Sequence, residues 1–420
     1  MFQRVKGTND FFPGDFAALA QIVGAMSRAC KKYGFQQVLA PSIETLKLLT
    51  AKSGEEKKEQ IFVLEKRGSE ETGLKFDLTV SMTRMFADRQ KQLPKPVKWF
   101  SFDRMWRYEA PQKGREREFF QISVEHFGSD KPEADAEVIN MMIDCYLALG
   151  LKPADFVLRI NHRKLLEGIL TDLVPKGKMD AAMRIVDKSS GIEDKQFFDE
   201  MHAAGIENVK AERIKHAIEI NGTIAEVEKK INEHLVLNET ALQGLKNLKD
   251  VLGMVKHPNI RVDLSVARGL AYYTGCVFEA FDSSGEFRAL GGGGRYDQLV
   301  ELLGGEPCPA TGFAIGNSTL ALLLEKKKLY PLPDLGPDYY IAPIHENLIP
   351  DALAIAHELR AKHTVEVDMM RRKLSKQFDY ANSIGAKKVI VVGPEELKTK
   401  KFTLKDMKTG KEELKKLSEL

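Results

Sequence analysis

Apolar and polar positions between residues 100 and 127 fall into two alternating runs separated by a polar break, and this predicts a β-hairpin. The first run carries Phe102, Met105 and Trp106, and the second extends from Glu118 to Phe127. Between them, Ala110-Pro111-Gln112-Lys113-Gly114-Arg115 places Pro and Gly where the connection must turn. At period 2, Arg107 and Glu109 share a face at the end of the first strand, and Phe119, Gln121, Ser123 and Glu125 share one on the second. Upstream, Leu19, Ile22, Val23, Met26 and Ala29 keep helical spacing from Asp15 to Lys32. Gly34 closes that helix, and residues 35–39 read as a strand ending at Pro41. A further helix is expected within 132–151 and a strand at 156–160. Residues 165–255 are helical by period almost throughout, with Asn238 as a cap and no strand signal, as in a helical module inserted into an α/β core. Strands resume at 260–264 and 277–281, followed by the turn Asp282-Ser283-Ser284-Gly285. Beyond a Pro-rich linker at 330–337, a β-α-β-α-β alternation predicts a compact α/β domain with a mostly parallel sheet.

Composition narrows the class without fixing it. The 420 residues, 43% hydrophobic and 29% charged, fit a soluble chain of two or three domains. A formal charge of +3 demands no polyanionic partner. Residues 371–420, however, carry 14 Lys/Arg against 7 Asp/Glu, an excess that suits a phosphate backbone or a solvated basic surface. Cys30, Cys145, Cys276 and Cys308 form no C-x-x-C pair, so no metal site is expected and a reducing, cytoplasmic setting fits. Neither a leader pattern nor a membrane-spanning apolar run is present.

Charges on an apolar hairpin need either solvent or a ligand. Asp77 and Thr79 precede a helical segment, as helix caps or as ligand-binding groups. His162, between a strand and a helix, reads as structural. The run Gly291–Gly294 lacks the spacing of a phosphate loop and is expected to floor a site without obstructing side chains.

Several of these stretches resemble one family. Arg107-Tyr108-Glu109, a loop, then Arg115-x-x-x-Phe119 is similar to motif 2 of the class II aminoacyl-tRNA synthetases, and Gln121-x-x-x-Glu125 resembles the histidyl branch. Arg268-Gly269-Leu270-Ala271-Tyr272-Tyr273-Thr274-Gly275 resembles the histidyl signature peptide. The helix, Gly34, strand, Pro41 and Glu44 resemble motif 1, which in that class builds a dimer interface. Thr311–Gly316 enters a helix at Leu320–Leu324 in the manner of motif 3.

The resemblance implies an α/β protein with an antiparallel class II catalytic sheet at 1–164 and 256–330. It adds a helical insertion at 165–255 and an α/β anticodon-binding domain at 337–420. It further implies a cytoplasmic homodimer that activates histidine with ATP, accompanied by Mg2+, and transfers it to tRNA(His). Arg107 and Arg268 are then the catalytic cations across the α-phosphate. Histidine is expected to meet Asp77, Leu78, Thr79, Gln121, Glu125, Tyr272 and Tyr273 along with both arginines, and ATP to meet Arg107, Glu109, Arg115 and Phe119. An imidazole needs a partner for each nitrogen, and Glu125 and Tyr273 are the candidates.

Two departures stand out. Lys75-Phe76-Asp77 replaces the usual Arg-Pro-Glu. Ser318-Thr319 replaces the Glu-Arg that ordinarily closes motif 3, with Arg115 the candidate to supply the missing cation. A regulatory or tRNA-sensing paralogue without activation activity, or a synthetase for another amino acid, are the alternative readings.

Overall fold

The computed structural model describes residues 2–51, 55–268 and 272–420, with 55–57 and 190 in backbone only. The chain forms two compact units, Met1–Asp10 with Leu19–Pro331, and Phe11–Ala18 with Leu332–Leu420.

The first unit is built on helix α1 (Pro13–Lys32) from Leu19 onward and a nine-stranded sheet. The sheet's elements begin with β1 (Gln36–Gln37). A small antiparallel pair, β2 (Ile43–Thr45) and β3 (Thr72–Leu74), flanks α2 (Leu46–Thr50) and precedes α3 (Thr79–Arg89). The predicted hairpin is β4 (Val97–Trp106) and β5 (Glu118–Phe127), in register from Val97 opposite Phe127 to Trp106 opposite Glu118. After α4 (Pro132–Leu147) comes β6 (Phe156–His162). Helices α5 (Arg163–Leu170), α6 (Met179–Lys188), α7 (Asp194–Ala203) and α8 (Asn208–Ile218) follow.

The helical stretch is not free of strand. β7 (Asn221–Gly222) pairs with the later β8 (Ile260–Asp263), between α8 and the pair α9 (Ile224–His234) and α10 (Glu239–Met254). Two residues are too few to leave a period-2 signal, which is why helical spacing masked it. The sheet is completed by β9 (Cys276–Asp282), β10 (Gly291–Arg295) and β11 (Ala310–Gly316), with α11 (Leu299–Leu302) between the last two and α12 (Asn317–Lys326) following.

The strand order is β1-β4-β5-β11-β10-β9-β6-β8-β7, antiparallel through its centre and parallel at β1–β4 and β6–β8. Alternation sorts its two faces. Phe100, Ile122, Val124, Phe278, Phe313 and Ile315 join one buried cluster with Ile139, Met142 and Ile143 of α4. Each such side chain contributes on the order of 1.5–3 kcal/mol by leaving water. The opposite face carries Gln121 and Glu125 of β5, Gly312 of β11, Gly292 and Gly294 of β10, and Glu279 of β9. That face floors the site.

In the second unit, β12 (Tyr339–Pro343), β13 (Val365–Val367), β14 (Lys388–Val392), β15 (Phe402–Asp406) and β16 (Glu412–Lys415) lie in the order β13-β12-β14-β15-β16. The first three are parallel, with α13 (Ile349–Leu359) and α14 (Leu374–Ser383) in the crossovers and α15 (Pro394–Thr399) after β14. Ile390 and Val392 join one buried cluster and Val389 another, because the sheet is covered on both faces. The antiparallel β15–β16 hairpin extends the expected β-α-β-α-β core. The α/β class expected from the sequence is the class observed.

Candidate active site

A cavity of about 840 Å³ opens over the polar face of the large sheet. Asp77, Thr79, Arg107, Glu109, Arg115, Phe119, Gln121, Glu125, Arg268, Tyr272 and Tyr273 all line it, although they come from four separate stretches of chain.

The hairpin delivers most of them. β4 stops at Trp106, so Arg107 and Glu109 belong to the connection and not, as expected, to the strand end. The ladder nevertheless continues by one bond, from Arg107 N–H to the Arg117 carbonyl at 2.8 Å. The turn closes through mutual backbone bonds between Gln112 and Arg115, with Gly114 at φ 74°. Arg107 donates from Nε to the Phe76 carbonyl at 3.1 Å and lies 5.0 Å from the centre of the Phe119 ring. Burial lowers its pKa, and Asp77 and Glu109 work against that shift. Arg115 forms an ion pair with Glu109. Glu116 accepts from Asn9 and, at 2.6 Å, from Ser318 at the start of α12.

Leu78 is the exception among the expected residues. It occupies the N-cap position of α3, and its side chain is buried with Ala40, Met82 and Met105 instead of facing the cavity. The neighbouring Asp77 carboxylate accepts from the Thr79 N–H, so Asp77 does the capping while both line the cavity. The Lys75 that replaces the usual arginine is fully buried, paired with Asp103 and bonded to the Ala40 carbonyl at 3.1 Å.

From the signature stretch, Gly269, Leu270 and Ala271 lie outside the described residues. Arg268 has φ 44°, in the left-handed region that non-glycine residues rarely adopt. Its guanidinium pairs with Glu279 at 2.7 Å. Burial opposes its charge, but Tyr273 and Glu279 outweigh burial and raise its pKa, so it stays a cation. The glycine strand makes room for this arrangement. A Cβ on Gly292 would lie 2.2 Å from Arg268 Nη1, and one on Gly312 would lie 2.2 Å from Glu125 Oε2.

Sequence reasoning missed Tyr296, whose hydroxyl donates to Glu125 across 171 residues of chain. Burial, with the Glu125 carboxylate beside it, pushes the Tyr296 phenol well above its usual range, so it remains a donor. Tyr272 packs between Tyr273 and Tyr296, with ring centres 4.4 and 5.8 Å away. Glu279 was also missed, though a carboxylate within the apolar run Val277–Phe281 was a usable signal. Arg288, on the β9–β10 turn, and Asp187 and Gly191 from the helical stretch are among the other missed wall residues, without a local signal. His162 is buried and caps α5, its Nδ1 accepting from Lys164 N–H at 3.2 Å. Among the described residues no cluster of three or more His, Cys, Asp or Glu could hold a metal ion, and no helix is long and apolar enough to cross a membrane.

The site therefore joins a cationic end at Arg107, Arg115, Arg268 and Arg288 to a buried end where a phenol and a carboxylate meet. A family model described as histidyl-tRNA synthetase matches residues 7–320, and one described as anticodon binding domain matches 338–420. Histidine–tRNA ligases of Natronomonas pharaonis and Pyrococcus furiosus are 39% and 38% identical, over 98% of this chain and 95% and 96% of theirs. The crystal structure of histidyl-tRNA synthetase from Nostoc sp. PCC 7120 superposes with a TM-score of 0.80 at 26% identity, covering 100% of this chain and 98% of that one. With the motif residues gathered in one cavity and the match running almost end to end, the chain belongs to the histidyl-tRNA synthetase family.

Proposed function

We propose that this chain is a histidine–tRNA ligase, an ATP-dependent enzyme that forms histidyl-adenylate and passes the histidyl group to tRNA(His). In the first step a carboxylate oxygen of histidine attacks the α-phosphorus of ATP and pyrophosphate leaves. In the second, a hydroxyl of the terminal tRNA ribose attacks the adenylate carbonyl and AMP leaves. Arg107 and Arg268 stand on either side of the α-phosphate, where negative charge builds, and two fixed cations there lower the barrier. Glu125, held by Tyr296, accepts from one imidazole nitrogen and Tyr273 serves the other, which selects histidine among small planar side chains. Asp77 and Thr79 receive the α-ammonium, and Gln121 and Tyr272 enclose the substrate. Phe119 stacks the adenine beside Glu109, and Arg115 faces the distal phosphates. Mg2+ arrives with the triphosphate, which itself supplies ligands to the ion.

The core comprises 1–164 and 256–330, the insertion 165–255 and the anticodon-binding domain 337–420, in a cytoplasmic homodimer. The observation that carries the reading is the convergence of Arg107, Arg268 and the Tyr296–Glu125 pair in one cavity. Charging of a tRNA(His) transcript with labelled histidine tests it. Histidyl-tRNA should accumulate only with ATP present, and its absence from a folded preparation refutes the assignment.

A further inference from the structure

Arg288, on the turn between β9 and β10, brings to the cavity a guanidinium that forms no salt bridge among the described residues. Its position is fixed by the Asp282 carboxylate, which accepts the backbone N–H groups of Ser284, Glu286 and Phe287 at 3.1, 3.2 and 2.9 Å. On the far side, Leu290 N–H bonds the Ala280 carbonyl at 2.8 Å. Lys113 and Lys326 hold the adjacent Phe287 ring, with Nζ atoms 5.6 and 5.4 Å from its centre. The turn is thus pinned to both the hairpin loop and α12.

Among the described residues Arg288 has no ion-pair partner. Arg115 lies close enough to oppose its charge, and Glu109 offsets only part of this while pairing directly with Arg115. Glu116 is engaged by Asn9 and Ser318. Thr319 donates to the Gly114 carbonyl at 3.3 Å and supplies no charge to that corner of the cavity. Arg288 is itself exposed, so the two guanidiniums and the single Glu109 carboxylate leave excess positive charge at the solvent side of the cavity, which suits an anion.

We infer that Arg288 binds the distal phosphates of ATP, supplying the charge that Thr319 cannot, while Arg115 remains tied to Glu109. The inference rests on reading this cavity as the nucleotide site. Equilibrium binding of ATP and of pyrophosphate to the full chain tests it, with Arg288→Ala and Arg288→Lys beside the wild type. Arg288→Ala should weaken both ligands about ten- to a hundredfold, and Arg288→Lys should recover part of that loss. The KM values for histidine and tRNA should stay within about twofold in exchange and charging assays. ATP and pyrophosphate affinities unchanged within twofold overturn the inference. So does a rise confined to the KM for tRNA, which would assign Arg288 to the RNA backbone instead. A wild type that binds ATP but activates no histidine refutes the proposed function, and the binding comparison still decides the role of Arg288.

Discussion

Tyr296→Phe removes one oxygen and nothing else, from a side chain that is 2% exposed and donates to a Glu125 that is 1% exposed. The ring remains to pack against Tyr272, so the cavity wall keeps its shape. What changes is the carboxylate, which loses a donor in a place where water cannot replace it. Hydrogen bonds to charged groups contribute about 1.5–3 kcal/mol, and about 1.4 kcal/mol corresponds to a factor of ten. If Glu125 is the imidazole acceptor, loss of this bond should weaken histidine binding by roughly 10- to 150-fold. The KM for ATP should move by less than about threefold, because the hydroxyl that is lost is bonded to Glu125 and not to any of the arginines. Histidine-dependent ATP–pyrophosphate exchange measures both, and a Glu125→Gln, Tyr296→Phe double-mutant cycle gives the coupling. A histidine KM within about twofold of wild type, with the fold intact, would falsify the claim that this pair defines the amino-acid pocket.

Arg107→Ala and Arg268→Ala should each slow single-turnover adenylate formation by about 10²–10³ in protein that is folded at the assay temperature, and near-normal turnover removes that residue from the mechanism. Thr319→Arg removes the hydroxyl bond to the Gly114 carbonyl and adds a guanidinium to a cavity wall that Arg115 and Arg288 already line. ATP affinity should then rise by no more than about threefold, and a gain of about tenfold or more would show that no other cation replaces it. His162, buried as a neutral ring, has its pKa depressed by burial to about 4 from 6.5. The unfolded chain therefore binds the extra proton first, and stability should fall as pH drops from about 6.5 to about 4, by on the order of 3 kcal/mol. His162→Asn keeps an acceptor for the cap and should flatten that part of the melting-temperature profile. An unchanged acid slope would show that other groups govern it.

What the sequence disclosed, and what it hid, follows from the range over which each feature is encoded. The hairpin at 100–127 was legible because period-2 alternation and its turn residues are local, although its first strand begins earlier, at Val97. The glycine run could be read as a floor because four adjacent residues without side chains have few other uses in a strand. Leu78 was misjudged because adjacent residues at a helix start point in different directions: Asp77 and Thr79 line the cavity while Leu78 enters the core. Tyr296 and Arg288 were illegible for a different reason. Their roles depend on the register of β5 against β11 and β10, and on a turn that lies far from the hairpin in sequence. The motif 3 departure was visible as a missing cation. Only the Arg115–Glu109 pair made Arg288, and not Arg115, the uncommitted one.

The central claim is tested most directly by ATP–pyrophosphate exchange with each of the twenty amino acids offered singly to the wild-type chain. The account predicts exchange with histidine and none above background with the others, because only an imidazole satisfies both the Glu125 and the Tyr273 ends of the pocket. Exchange driven by a different amino acid, or no exchange from a folded protein that binds ATP, would contradict it.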